Sequence, residues 1–151
     1  MEQPTVRQAV LDDLELLTPL FDAYRHFYGQ PHDRETAEDF LRARLAQGDS
    51  VIFLAHDADL GVGFVQLYPL FSSVAAARTF VLNDLFVLEQ ARRRGIASRL
   101  LDAAIDYANR VGAVRLTLST AADNAAARAL YEAEGWQCDD AFAVYHFSLS
   151  G

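Results

Sequence analysis

Between Val81 and Leu101 the chain reads VLNDLFVLEQARRRGIASRLL, and this stretch limits the possible folds more than any other. Val81 to Val87 is rich in β-branched and large apolar residues, which predicts a strand. Ile96, Leu100, Ala103, Ala104, Tyr107, Ala108 and Val111 follow at three- and four-residue steps, which predicts an amphipathic helix. Between them stand Arg92, Arg93, Arg94, Gly95, Ile96 and Ala97. A helix start carries free N–H groups with partial positive charge and normally favours acids. Three arginines there cost stability unless an anion joins them, when N–H groups, dipole and guanidinium groups act together. The stretch therefore reads as a phosphate cradle, with Gly95 letting backbone approach the ligand and Ala97 keeping the next turn small. Neither GxxxxGK(S/T) nor GxGxxG occurs, so the two common nucleotide fingerprints do not apply.

A chain of 151 residues is expected to form one domain, 1–151, with a full hydrophobic core. No apolar run approaches the roughly 18 residues of a membrane span, and the first residues carry no signal-peptide pattern. A single cysteine, Cys138, excludes an internal disulfide and suits a cytoplasmic protein. His26, His32, His56 and His146 lack metal-ligand spacing, so no metal is expected. The net charge of −8 argues against nucleic acid as a partner. It suits a cationic small molecule or a basic peptide. All 13 basic residues are arginine, and the cluster formed by Arg92, Arg93, Arg94 and Arg99 reads as a local anion site.

Taken in order, Thr5 to Gln8 predicts a short strand. Asp12 or Asp13 then caps a helix with Leu14, Leu17, Leu20, Phe21, Tyr24, Phe27 and Tyr28 on one face. Pro19 predicts a kink or break inside it. Asp33 caps a second helix bearing Ala37, Phe40, Leu41 and Leu45, closed by Gly48. Val51 to Ala55 and Leu60 to Tyr68 predict strands, and Gly61 and Gly63 mark a bulge or a close backbone approach. Pro69 to Ala77 reads as a loop. After the cradle helix and its Gly112 cap, Val114 to Ser119 alternates as a strand. A helix carrying Ala127, Leu130 and Tyr131 then runs to Gly135-Trp136, and Phe142 to Leu149 alternates as a last strand.

Two motifs point to a family. Arg92, Gly95 and Ala97 match R/Q-x-x-G-x-G/A following a strand. Asn124 to Trp136 reads N-x-x-A-x-x-x-Y-x-x-x-G-W. Both patterns, at this mutual spacing and in this order of elements, resemble the signatures of the GNAT N-acetyltransferase superfamily. The resemblance implies an α/β GNAT fold: a mixed sheet of about seven strands, splayed central parallel strands, and four flanking helices. It also implies acetyl-CoA as cosubstrate. By this likeness Leu85, Phe86 and Val87 offer backbone groups to the pantetheine arm as an added strand would. The N–H groups from Arg92 through Arg93, Arg94, Gly95, Ile96 and Ala97 to Ser98 receive the pyrophosphate. Asn124, with Ala127 on the same helix, meets the coenzyme's amide-bearing arm; Asn124 is equally apt as a helix N-cap.

Tyr131 resembles the family's tyrosine near the thioester sulfur, where a phenol can protonate the departing thiolate. An N–H at or beside Val87 would hold the acetyl carbonyl oxygen. A polyamine-acetylating branch has Glu-Asp where this chain has Asn83-Asp84, so Asp84 is the remaining acid to deprotonate an amine, or a residue that only fixes its neighbours. Tyr24-Arg25-His26-Phe27-Tyr28 resembles a run in branches acting on small amines, amino acids and related peptides. Tyr24 and Tyr28 there contact an acceptor or serve as core aromatics; Tyr68, Tyr145 and His146 are further candidates. The expected activity is acetyl transfer to a small primary amine (polyamine, amino acid or similar) by direct attack in a ternary complex. The alternatives are a lysine or N-terminal protein acetyltransferase, and an inactive acetyl-CoA-binding regulator. A homodimer paired along Phe142 to Leu149 is a further expectation.

Overall fold

The computed structural model describes residues 3–150. The chain divides between Ser119 and Thr120 into two compact units. The first holds β1 (Thr5–Gln8), α1 (Leu14–Phe27), α2 (Arg34–Gln47), β2 (Val51–Asp57), β3 (Leu60–Ser72), β4 (Ala77–Val87), α3 (Ile96–Arg110) and β5 (Arg115–Thr117). The five strands form one sheet in sequence order. Neighbours from β1 to β4 are antiparallel, and β4 and β5 are parallel.

Strand alternation distributes apolar side chains to both faces of this sheet. On one face Ile52, Leu54 and Phe64 join Leu14, Leu17, Leu20 and Phe21 of α1 and Ala37 and Leu41 of α2 in a buried cluster. On the other, Phe53 and Phe80 meet the ring of Tyr107 on α3 edge-on. The amphipathic pattern of α3 explains why that helix lies there: Ile96, Leu100, Leu101, Ala104 and Ala108 are all buried.

Several boundaries follow their sequence signals. The Asp33 carboxylate accepts the N–H of Thr36 at the start of α2, and Gly48 ends that helix in the left-handed conformation. The register between β2 and β3 shifts at Ala55/His56, opposite Gly63 and Gly61. Both glycines also accept a close neighbour. A Cβ on Gly61 would lie 2.8 Å from the Leu16 carbonyl oxygen, and one on Gly63 would lie 2.9 Å from that of Phe86.

Other expectations are corrected. No break occurs at Pro19, which lies inside a continuous α1. The carbonyl it leaves without a helical donor belongs to Glu15 in the exposed first turn, where water can satisfy it. The loop expected over Pro69 to Ala77 shrinks to a turn at residues 73–76: β3 runs to Ser72 and β4 begins at Ala77, with Ser72 opposite Ala77. Pro69 pairs with Phe80 there, so the β3–β4 ladder continues through the proline.

The second unit holds α4 (Ala125–Ala133), followed by Gly135 at φ +97°. No strand is present among residues 136–150. The described sheet therefore has five strands rather than about seven, and the last strand expected over Phe142 to Leu149 is absent. Phe142, Val144, Tyr145, Phe147 and Leu149 are all exposed. Alternation says which side chains share a face; it supplies no neighbour to complete a ladder. Among the described residues no helix is long and apolar enough to cross a membrane.

The tight contact at Gly63 yields a stability prediction. Gly63→Ala should lower unfolding free energy by about 1–3 kcal/mol, the usual cost of overpacking, because the obstacle is backbone and cannot swing aside. Denaturant unfolding of both proteins checks this; equal midpoints would refute it.

Candidate active site

The pairing of β4 with β5 is short. Thr79, Phe80 and Val81 face Arg115, Leu116 and Thr117, and the ladder stops there. From Leu82 to Val87 the edge of β4 on that side has no ladder partner in the sheet, a length of about 20 Å at a strand's ordinary rise. Hydrogen-bonded positions alternate along an antiparallel pair. Leu88 donates its N–H to the Val62 carbonyl, so Val87, opposite Gly63, turns its backbone groups toward the unpaired edge. By the same alternation Leu85 does too. The Val87 carbonyl is already used in part, accepting Nε–H of Arg92 at 3.0 Å.

Beyond that edge the chain makes one 3-10 turn and enters the arginine loop. Arg93 adopts φ +66° and Gly95 φ +73°, left-handed conformations of the kind found in loops that aim backbone N–H groups at an anion. A Cβ at Gly95 would meet nothing within 4 Å. Within the protein alone the glycine is thus favoured by its backbone angle and not by lack of space. α3 begins directly after it with no side-chain cap and no acid in its first turn, so its first N–H groups remain available to an anion.

The arginines do not all act together. Arg99 donates to the Pro4 carbonyl at 2.7 Å, and Arg94 lies 3.4 Å from the Asp57 carboxylate. Arg92 and Arg93 are exposed at the loop. The expected four-arginine anion site is therefore corrected for Arg99, whose side chain ties the helix to the N-terminal segment.

A second cluster lies on the face of the sheet beneath α1. The register between β3 and β4 slips by one residue, so that Leu67 faces Leu82 but Gln66 faces Asp84. Asn83 is the extra residue of this bulge. The slip places Asp84 on the same face as Gln66 and buries it to 3% exposure. Its carboxylate accepts from the Gln66 side-chain amide and from Nδ2 of Asn83 at 2.8 Å. Both donors are neutral, and no arginine forms an ion pair with Asp84 among the described residues.

Tyr24 of α1 reaches the bulge, its hydroxyl 3.4 Å from the Asn83 carbonyl. Its ring meets those of Tyr28 at 5.1 Å and Phe86 at 6.1 Å. Tyr24 is a half-buried rim residue while Tyr28 is 67% exposed. The phenols of Tyr24 and Tyr68 are both pushed well above the ordinary tyrosine range, by burial first and then by the Asp84 charge.

Of the expected site residues, Tyr24, Tyr28, Asn83 and Asp84 are thus gathered around one bulge, and Leu85 to Val87 continue into the unpaired edge. In the second unit Asn124 caps α4, its Oδ1 accepting the Ala127 N–H at 3.1 Å. Tyr131 packs its ring against Trp136 at 6.0 Å. Tyr145 and His146 are exposed. Sequence reasoning overlooked Gln66, which is fully buried. Its signal was a lone amide in the otherwise apolar run Gly61 to Leu67. Among the described residues no group of three or more His, Cys, Asp or Glu is placed to hold a metal.

The family model described as "Acetyltransferase (GNAT) family" matches residues 17–136. An uncharacterized N-acetyltransferase of Bacillus subtilis (strain 168), YhfO, is 49% identical over 140 residues, covering 93% of this chain and 94% of that protein. A solved structure of a probable acetyltransferase superposes with a TM-score of 0.92 at 42% identity, covering 97% of this chain and 99% of that one. A predicted acetyltransferase of Clostridium acetobutylicum, solved with acetyl-CoA, shares the fold at a TM-score of 0.77 and 17% identity, with 95% and 96% of the two chains covered.

The raised phenols carry a pH prediction. In the folded chain Tyr24 and Tyr68 hold their protons more tightly than in the unfolded chain. Their contribution to stability is complete below about pH 10, the unfolded value, and is lost as pH rises through the folded values. Ultraviolet titration should show two phenols ionising late, and Tyr24→Phe should remove one of them. Ionisation of every tyrosine together would contradict this environment.

Proposed function

The chain belongs to the acetyltransferase (GNAT) family, and from that membership we propose that it transfers acetyl from acetyl-CoA to the primary amine of a small molecule. The observation that carries the acceptor assignment is Asp84: a buried carboxylate whose donors, the amides of Gln66 and Asn83 and the Tyr24 hydroxyl, are all neutral, beneath Tyr24 and Tyr68 and beside Phe86. An alkylammonium brings the missing positive charge, and aromatic faces favour it further. The family model crosses the boundary between the two compact units, running from residue 17 to residue 136, which supports one acetyltransferase domain over 1–151.

On this reading the backbone groups of Leu85 and the Val87 carbonyl hold the pantetheine arm along the unpaired edge of β4, as an added strand is held. The uncapped start of α3, with Arg92 and Arg93, receives the pyrophosphate. An ammonium has no lone pair, so the acceptor must lose a proton before attack. Asp84 takes it, directly or through the Tyr24 hydroxyl, which the same environment keeps protonated. The amine nitrogen then bonds to the acetyl carbon as the carbon–sulfur bond breaks. The N–H of Val87 stabilises charge growing on the carbonyl oxygen; by the family resemblance of its motif, Tyr131 is the group that gives its proton to the departing sulfur, and the second proton lost by the nitrogen restores the phenol through solvent. Neither motif contains a cysteine, which favours direct transfer. Cys138, which is exposed, has no part in it.

Thiol release from acetyl-CoA, tested with polyamines, amino acids, aminoglycosides and basic peptides, identifies the acceptor. One small-amine class should release CoA. Tyr131→Phe and Asp84→Asn should each lower kcat by about 10²–10⁴-fold, the range for a positioned acid or base, while acetyl-CoA still raises the Tm. Arg92→Glu should instead weaken acetyl-CoA binding itself. Turnover of basic peptides alone would favour a protein substrate. Loss of the thermal shift in the wild-type chain would overturn the coenzyme assignment.

A further inference from the structure

We propose that Gln66 and Ser50 form a positioning relay that aims the Asp84 carboxylate, so that a hydroxyl outside the acceptor pocket sets the competence of the acid–base residue. The proposal rests on the role given to Asp84 above. Gln66 has no exposure at all, and a fully buried side-chain amide is stable only when its polar atoms are satisfied. Its amide donates to Oδ2 of Asp84, and its Oε1 accepts the Ser50 hydroxyl at 2.7 Å.

An amide can sit either way round in the same volume. Turned over, Gln66 would set its carbonyl oxygen against the carboxylate, two acceptors facing one another. The Ser50 hydroxyl removes that choice. By donating to Oε1 it fixes Nε2 toward Asp84. The bulge at Asn83 is needed for the same purpose, since without the slip Asn83 and not Asp84 would stand opposite Gln66. Asn83 supplies the second donor at Oδ1. Each oxygen of Asp84 is thereby held by one amide, leaving the remaining lone pairs directed by geometry rather than by free rotation.

Ser50 precedes β2, far along the chain from the bulge, and is only half-buried. Its substitution can therefore be tested with little disturbance to packing. Turnover is measured as CoA release with acetyl-CoA and spermidine, or whichever amine of the panel reacts fastest. The side-chain carbonyl ¹³C resonance of Asp84, assigned by its loss in Asp84→Asn, is recorded on the full chain with acetyl-CoA. Gln66→Leu should lower kcat about ten- to a hundredfold, as expected for losing a hydrogen bond to a charged group. The KM for acetyl-CoA should stay within about twofold.

Ser50→Ala should lower kcat by about three- to tenfold and move the Asp84 resonance, whereas Ser50→Thr, which keeps the hydroxyl, should restore both. Unchanged kcat and an unmoved resonance in Ser50→Ala would overturn the relay, as would equal losses in Ser50→Ala and Ser50→Thr. Full turnover by Asp84→Asn would instead overturn the acid–base reading and the relay with it. Should Gln66→Leu fail to fold, the two Ser50 variants decide the matter. Should no panel amine react, the resonance decides it.

Discussion

Three residues of parallel pairing between β4 and β5, and the end of that pairing at Val81, set the character of this fold. A sheet normally hides its backbone polar groups by pairing every interior strand along its length. Here the strand next to the edge keeps its partner on one side only, and the N–H groups of Leu85 and Val87 are turned toward the other. That arrangement is costly in an isolated chain and useful to one that binds an extended, amide-bearing ligand. The apolar faces under α1 and α3 bear the cost by fixing β4 firmly from above and below.

The same strand serves two chemistries because of one irregularity. The slip at Asn83 changes which residues of β4 face α1. It turns an acid into the interior, beside Tyr24 and Tyr68, before the strand runs on to the arginine loop. On the proposed reading, anion binding and deprotonation of an amine are organised by one strand and the loop that directly follows it. Their separation is fixed by backbone geometry and not by flexible side chains.

Where physical pattern and structure coincide, the reason is local. The three- and four-residue steps of α3, the Asp33 cap, and the glycines at the β2–β3 shift are each determined by residues near in sequence. The arginines at a helix start were legible for the same reason, since the dipole that makes them anomalous belongs to the adjacent turn. Contacts between distant residues were not legible. Nothing near Arg99 indicates that it bonds to Pro4, and nothing near Gln66 indicates that Asp84 lies opposite, because both depend on register. Pro69 suggested a loop because proline removes a ladder donor, yet the hairpin arm continues through it. The alternation of Phe142 to Leu149 showed sidedness and could not reveal whether a neighbour is present.

The cradle is built from arginine alone, and this has a chemical consequence. A thioester held beside an amine-bearing side chain is at risk of being attacked by the protein itself. Lysine loses its proton readily when its surroundings disfavour charge, and then becomes such a nucleophile. A guanidinium stays charged at every working pH. With Arg92 and Arg93 exposed at the loop and no lysine anywhere in the chain, the proposed coenzyme site would hold an activated donor with groups that the donor cannot modify. An anion site of this make-up offers no side-chain amine to the thioester, so it should not wear out by self-acylation over many turnovers.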